Sequence, residues 1–180
     1  MLELPLYQSR LNLNFLIACC ALGGLSAVPV QAAEQVILKY SILRESVSVS
    51  ELGALAETGE VSSSLESYLK LAQKKPEDLQ KILSQKVEVN PVLLSQLLNS
   101  SPGEFLLDRV SEVIHTPSER ANRQALRGAL VSSALPDGNI RLIEVLENYP
   151  TAEVHVEGDR LAEIYGQFKK LLGSLPRLPL

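Results

Sequence analysis

Six prolines, at positions 76, 91, 102, 117, 136 and 150, forbid any long regular element over the stretch they punctuate. Proline has no N–H to donate and clashes with the preceding helical turn, so it is tolerated at a helix's first turn or in a turn, not inside a helix. Two of these prolines follow residues whose side-chain oxygens can accept an unpaired helical N–H, in Asn90-Pro91 and Ser101-Pro102, while Thr116-Pro117-Ser118 breaks the chain. Pro76 is followed by Glu77-Asp78, which suit the positive end of a helix dipole. The pattern predicts a string of short helices.

Apolar spacing fills in the rest. Val36–Tyr40 and Ser46–Val49 are short β-rich segments separated by five residues, and they predict a hairpin. Ser50 is the expected N-cap of the next helix and Gly59 its stop. Ser63 and Glu66 have capping-box spacing and open a helix expected to bury Leu65, Leu69 and Ala72. The helix from Pro76 presents Leu79, Ile82 and Leu83, and that from Pro91 presents Val92, Leu93 and Leu97, with Leu94 a further candidate. After Ser101-Pro102, Leu106, Leu107, Val110, Val113 and Ile114 recur at helical spacing.

Arg120–Leu135 predicts a helix with a small packing face of Ala121, Ala125, Gly128 and Ala129, which lets a neighbour approach closely and makes it the candidate central helix. A turn at Pro136–Asn139 precedes a short helix carrying Ile140, Ile143 and Leu146. Lys86–Val89 and Ala152–Glu157 alternate as strands do. A last helix, from Asp159 to Leu172, sets Leu161, Ile164, Tyr165, Phe168, Leu171 and Leu172 on one side, a face expected to be core.

The N-terminus has the three-part plan of a secretory signal: a short start with Arg10, an uncharged apolar run over Phe15–Val30, and small residues at Val30 and Ala32 before the expected cut at Ala32/Ala33. Two alternatives remain open, an uncleaved membrane anchor over residues 11–33 and a lipidated Cys19. Each places the domain outside the cytoplasm. The expected fold class is mainly α: a compact multi-helix domain at residues 33–173 with a small β-hairpin and short accessory strands, after a cleaved signal peptide at 1–32 and before a Pro-containing tail at 174–180.

Composition excludes some functions. Lys and Arg total 17 against 21 Asp and Glu, a net charge of −4, with no Trp, five Tyr and three Phe. Such a chain lacks both the phosphate-neutralising charge and the stacking platforms of a nucleic-acid binder. Both cysteines, Cys19 and Cys20, lie in the leader, so a cleaved product has no thiol nucleophile, disulfide or thiolate metal ligand. No cofactor is expected.

Read in order, Val36–Tyr40, Ser46–Leu52, Glu57–Glu60, Leu97–Ser100, Val113–Pro117 and Ala125–Leu130 resemble a domain of unknown function in cyanobacterial proteins. In those proteins it follows a signal peptide and often precedes an α/β-hydrolase domain. The resemblance covers Ala33 to Leu172, and the hydrolase part is expected to be absent, since the chain reaches Leu180 in a proline-punctuated tail. A hydrolase of that kind presents its serine on a Gly-x-Ser-x-Gly elbow, and the sequence contains no such pentapeptide. The resemblance transfers no functional residue, although His115 lies at a family-associated position.

His115 and His155 are the two histidines. His115 is expected to close a helix before Thr116-Pro117, its imidazole bonding the last free carbonyls; the sharper alternative is a general base. Glu153, His155 and Glu157 share one strand face, expected to be solvated, with divalent metal binding as the alternative. Arg120, Arg123 and Arg127 form a stripe opposite the small helical face, a solvated surface or a docking stripe for a partner's carboxylates or phosphate headgroups.

The leading expectation is a non-enzymatic exported helical module, periplasmic or extracellular, that binds a separate hydrolase or another exported protein. Membrane association enters if the leader is uncleaved or Cys19 is lipidated. The alternatives are a truncated or split part of a secreted esterase-like hydrolase system, and an enzyme with an unrecognised site.

Overall fold

The computed structural model describes residues 32–161 together with 164, 166 and 170. Residues 1–31 of the leader, most of the last expected helix and the tail lie outside the described residues. The chain begins with the expected hairpin, β1 (Gln35–Tyr40) and β2 (Leu43–Ser48), closed by the two residues Ser41-Ile42 rather than by five. Ser41 adopts φ 54°, the left-handed region that a tight hairpin turn demands.

Helix α1 (Val49–Thr58) follows without a break. Its cap is Ser48, not Ser50: Glu51 N donates to Ser48 Oγ at 3.2 Å, and Ser48 N donates back to Glu51 Oε2 at 3.0 Å. Val49, expected in the strand, is buried as the first helical residue, which sets the start earlier than cap chemistry alone suggests. The helix stops at Gly59 (φ 77°), as expected.

Helix α2 (Ser63–Leu71) is capped by Ser62, and the Ser63–Glu66 box does not form. Any of the serines at 62–64 could serve as cap; burying Leu65, Tyr68 and Leu69 together selects the first. Helices α3 (Pro76–Ser84) and α4 (Pro91–Leu98) begin at their prolines, and Asn90 Oδ1 accepts from Val92 N and Leu93 N. Helix α5 (Ser101–Ser111) is capped by Ser100, one residue before the expected Ser101. The buried face of α4 is Leu94 and Leu98, not Val92, Leu93 and Leu97; Val92 is 64% exposed. The segment PVLLSQLL is apolar on nearly every side, so its packing partners choose the face.

Helix α6 (Asn122–Ala134) packs against α4, α5 and α7 (Leu142–Glu147), and is central as expected. It buries Ala125, Leu126, Ala129, Leu130, Ser133 and Ala134, while Ala121 and Gly128 of the expected small face are exposed. Close approach occurs instead at Gly103, where an added Cβ would lie 1.9 Å from the Leu97 carbonyl oxygen. Arg141, at the start of α7, bonds Glu144 and pairs with Glu57 of α1, tying those helices together.

The short strands collect into two sheets. β3 (Val87–Glu88) pairs antiparallel with β5 (Asn139–Ile140), beside the Gly138 turn. β1 and β2 extend into a four-stranded sheet of order β2-β1-β6-β4, where β6 is Glu153–Glu157 and β4 is Ile114–His115. β1 and β6 run parallel, and the other pairs are antiparallel. Val36, Leu38, Val47, Val154, Val156 and Ile114 turn one sheet face into the core. The domain is mainly α with a few short strands, and another helix begins directly after β6, at residues 158–161.

Candidate functional site

The other face of the four-stranded sheet gathers the chain's chemistry. Register places His115 of β4 opposite His155 of β6, and side chains alternate along β6, so Glu153, His155 and Glu157 share that face with Lys39 of β1. The imidazoles meet edge to face, with centroids 5.3 Å apart and planes at 76°. Both histidines are buried, at 7% and 8% exposure. His155 is therefore not on the solvated surface expected from alternation: as the third strand of four, β6 is flanked on both sides.

Each ring is held by a carboxylate. His155 Nε2 lies 2.7 Å from Glu153 Oε1. His115 Nδ1 lies 3.0 Å from the Thr116 carbonyl oxygen, and its Nε2 lies 3.4 Å from Glu157 Oε1. The same Glu157 oxygen accepts from Lys39 Nζ at 2.7 Å. Glu157 therefore bridges the Lys39 ammonium of β1 and the His115 ring of β4 across the sheet. Burial alone would raise the Glu157 carboxyl, but hydrogen bonds from Lys39 and His115 outweigh it and hold the group below its usual value. His115 is not a helix cap, because α5 ends at Ser111 with Glu112 as its cap residue and His115 belongs to a strand.

A cleft of about 590 Å³ opens beside this cluster, between the loop after β4 and residues 150–153. Thr116, Ser118, Arg120, Gln124, Thr151 and Glu153 line it. The loop is held by Asn122, whose Oδ1 accepts from both Thr116 N (2.9 Å) and Thr116 Oγ1 (2.8 Å). Glu119 and Ala121 sit at φ 56° and 54°, conformations costly for residues with a Cβ, and they project Arg120 between them.

The arginines do not form one stripe. Arg123 makes a two-pronged contact with Asp108 (2.9 and 2.7 Å) and lies 3.2 Å from Glu104. Arg127 Nε donates to the Leu98 carbonyl at 3.0 Å. Both therefore brace α6 against α4 and α5, and Arg120 alone of the three lines the cleft. Among the described residues no group of three or more His, Cys, Asp or Glu is arranged to hold a metal.

Chemically, the cluster sets two carboxylates against two imidazoles across neighbouring strands. Among the described residues no Ser or Thr hydroxyl bonds either ring. Glu153 and Glu157 could be read from sequence alternation, but Lys39 could not.

A family model described as "Alpha/beta hydrolase of unknown function (DUF1400)" matches residues 32–157. The chain belongs to that family. The family segment ends at Glu157, the last residue of β6, so it encloses the helical body, the parallel β1–β6 closure and both histidines. No curated protein and no solved structure matches the chain.

Proposed function

We propose that this member of the family is an exported, non-catalytic helical module that docks onto an α/β-hydrolase domain, using the cleft beside the histidine pair. The observation that carries the reading is the pairing of both imidazoles with carboxylates, not hydroxyls, in a sequence without a Gly-x-Ser-x-Gly elbow. The family's description supplies the hydrolase connection. The resemblance to a cyanobacterial domain that precedes a hydrolase supports a partner of that class.

Arg120 is the cleft's cation and is suited to a partner's carboxylate. Export rests on the leader at 1–32, and predicts a mature N-terminus at Ala33 in the periplasmic or extracellular fraction.

The test mixes the full chain with a separately produced hydrolase domain from a longer family member and measures both association and ester hydrolysis. The expected result is no turnover by the chain alone and a complex weakened by Arg120→Glu. Ester turnover by the chain alone, lost in His155→Ala or His115→Ala, would overturn the reading and place a catalytic base in the pair.

A further inference from the structure

The tip of the β1–β2 hairpin is an unusual place for an aliphatic residue. Two-residue hairpin turns favour Asn, Asp and Gly, yet here Ser41 takes the left-handed position and Ile42 stands beside it, 95% exposed. Leu71, the last residue of α2, is 70% exposed, and it shares with Ile42 an open depression of about 480 Å³ floored by Tyr40 and Ala72. No described part of the fold uses either side chain.

Charge says what these residues suit. Lys74 reaches over the Tyr40 ring, its ammonium 4.9 Å from the centroid, and Lys70, Lys75 and Arg44 are exposed next to the depression's residues in the chain. Carboxylates stand close by as well: Asp159 accepts the Ser41 N–H at 2.8 Å at the tip itself, and Asp159 and Asp78 both act on the Lys74 ammonium, so Lys70, Lys75 and Arg44 carry most of the rim's positive charge.

A protruding aliphatic tip with an aromatic base and a lysine rim matches an interfacial membrane contact, in which apolar groups enter the headgroup boundary and lysines reach phosphates. Protein interfaces, by contrast, are depleted in lysine. We propose that Ile42 and Leu71 form a peripheral contact with an anionic lipid bilayer, with Lys70, Lys74, Lys75 and Arg44 binding its headgroups. This surface is separate from the cleft and independent of the docking reading.

The chain has no Trp, so Ile42→Trp in the full chain provides a single fluorescent reporter at the tip. The uncharged N-terminal run could itself hold the chain on vesicles, so the readout is made at position 42 and not from binding. With vesicles of mixed phosphatidylglycerol and phosphatidylcholine, the indole emission of the Ile42→Trp variant should shift to the blue and its quenching by acrylamide fall at least about twofold. Val92→Trp on α4, also at an exposed position, should report no change with the same vesicles.

Pure phosphatidylcholine vesicles should leave the tip reporter unchanged, and adding the triple change Lys70→Glu, Lys74→Glu, Lys75→Glu should abolish its response to anionic ones. Should the triple variant not fold, raising salt to about 0.5 M, which shortens the screening length to a few ångströms, should remove most of the response. The proposal is overturned if the tip reporter stays accessible on chain-loaded anionic vesicles, or responds equally to neutral ones. A response of the α4 reporter matching that of the tip reporter, or a tip response elicited only by a hydrolase domain, also overturns it.

Discussion

Tyr149, between the end of α7 and Pro150, is fully buried, and its hydroxyl has no hydrogen-bond partner among the described residues. Burial pushes the phenol above its ordinary value of 10.0. Replacement by Phe keeps the ring and its packing and removes one oxygen. A buried hydroxyl without a partner costs about 1–3 kcal/mol in proteins, and the space left by one oxygen returns only a small penalty. Tyr149→Phe should therefore stabilise the fold by about 1–2 kcal/mol, raising Tm by roughly 2–8 °C for a domain of this size.

A second arm comes from linkage. Because the folded phenol titrates higher than the unfolded one, unfolding releases its proton above pH 10, and stability falls as pH rises past that point. Removing the phenol should cut this alkaline slope by up to about 1.4 kcal/mol per pH unit. Thermal and urea unfolding of both proteins at neutral pH and at alkaline pH measures both effects. A loss of about 1 kcal/mol or more at neutral pH, the worth of a satisfied hydrogen bond, would refute the reasoning, because it would mean that the hydroxyl has a partner such as a buried water.

Gly103→Ala drives a Cβ to 1.9 Å from the Leu97 carbonyl oxygen, so α4 and α5 must part; urea unfolding should register a loss of about 3 kcal/mol or an unfolded product. Ser48→Ala removes the side-chain acceptor of the capping box while the backbone N–H at position 48 still reaches Glu51, and should cost about 1 kcal/mol in the same assay. Glu157 is held below its usual 4.5, so its contribution is complete above that value and is lost as pH falls through the lower, folded value. Glu157→Gln should lower neutral-pH stability by about 0.5–1 kcal/mol and flatten the acid side of the Tm–pH profile below pH 4.5; an unchanged acid side would disprove the assignment.

Cap chemistry was legible because it is local. Asn90-Pro91, Pro76 with its acidic first turn, and Gly59 mark real boundaries, since a side chain and the backbone N–H it receives lie within three residues of each other. Where serines lie within two positions of one another, at 48 and 50, 62–64 and 100–101, the expected cap was one or two residues late. The local hydrogen bond is nearly the same for each candidate, and burial of the following apolar residues breaks the tie. The same degeneracy hid the true face of α4.

The candidate site was legible in its parts only. His115 read as the end of a helix because Val110, Val113 and Ile114 continue the helical spacing, but α5 ends at Ser111 and residues 114–115 pair with β6. Lys39 and Glu157 are 118 positions apart, and no local pattern couples them.

By itself, then, the amino-acid order determined a mainly helical domain, the helix starts at Pro76 and Pro91, the other starts to within about two residues, and the hairpin, through short-range hydrogen bonding and backbone stereochemistry. Tertiary structure decided the strand order β2-β1-β6-β4, the meeting of His115 with His155, and the use of Arg123 and Arg127 as braces for α6. Those outcomes depend on which distant surfaces exclude water together, a property of the folded whole that neighbouring residues do not encode.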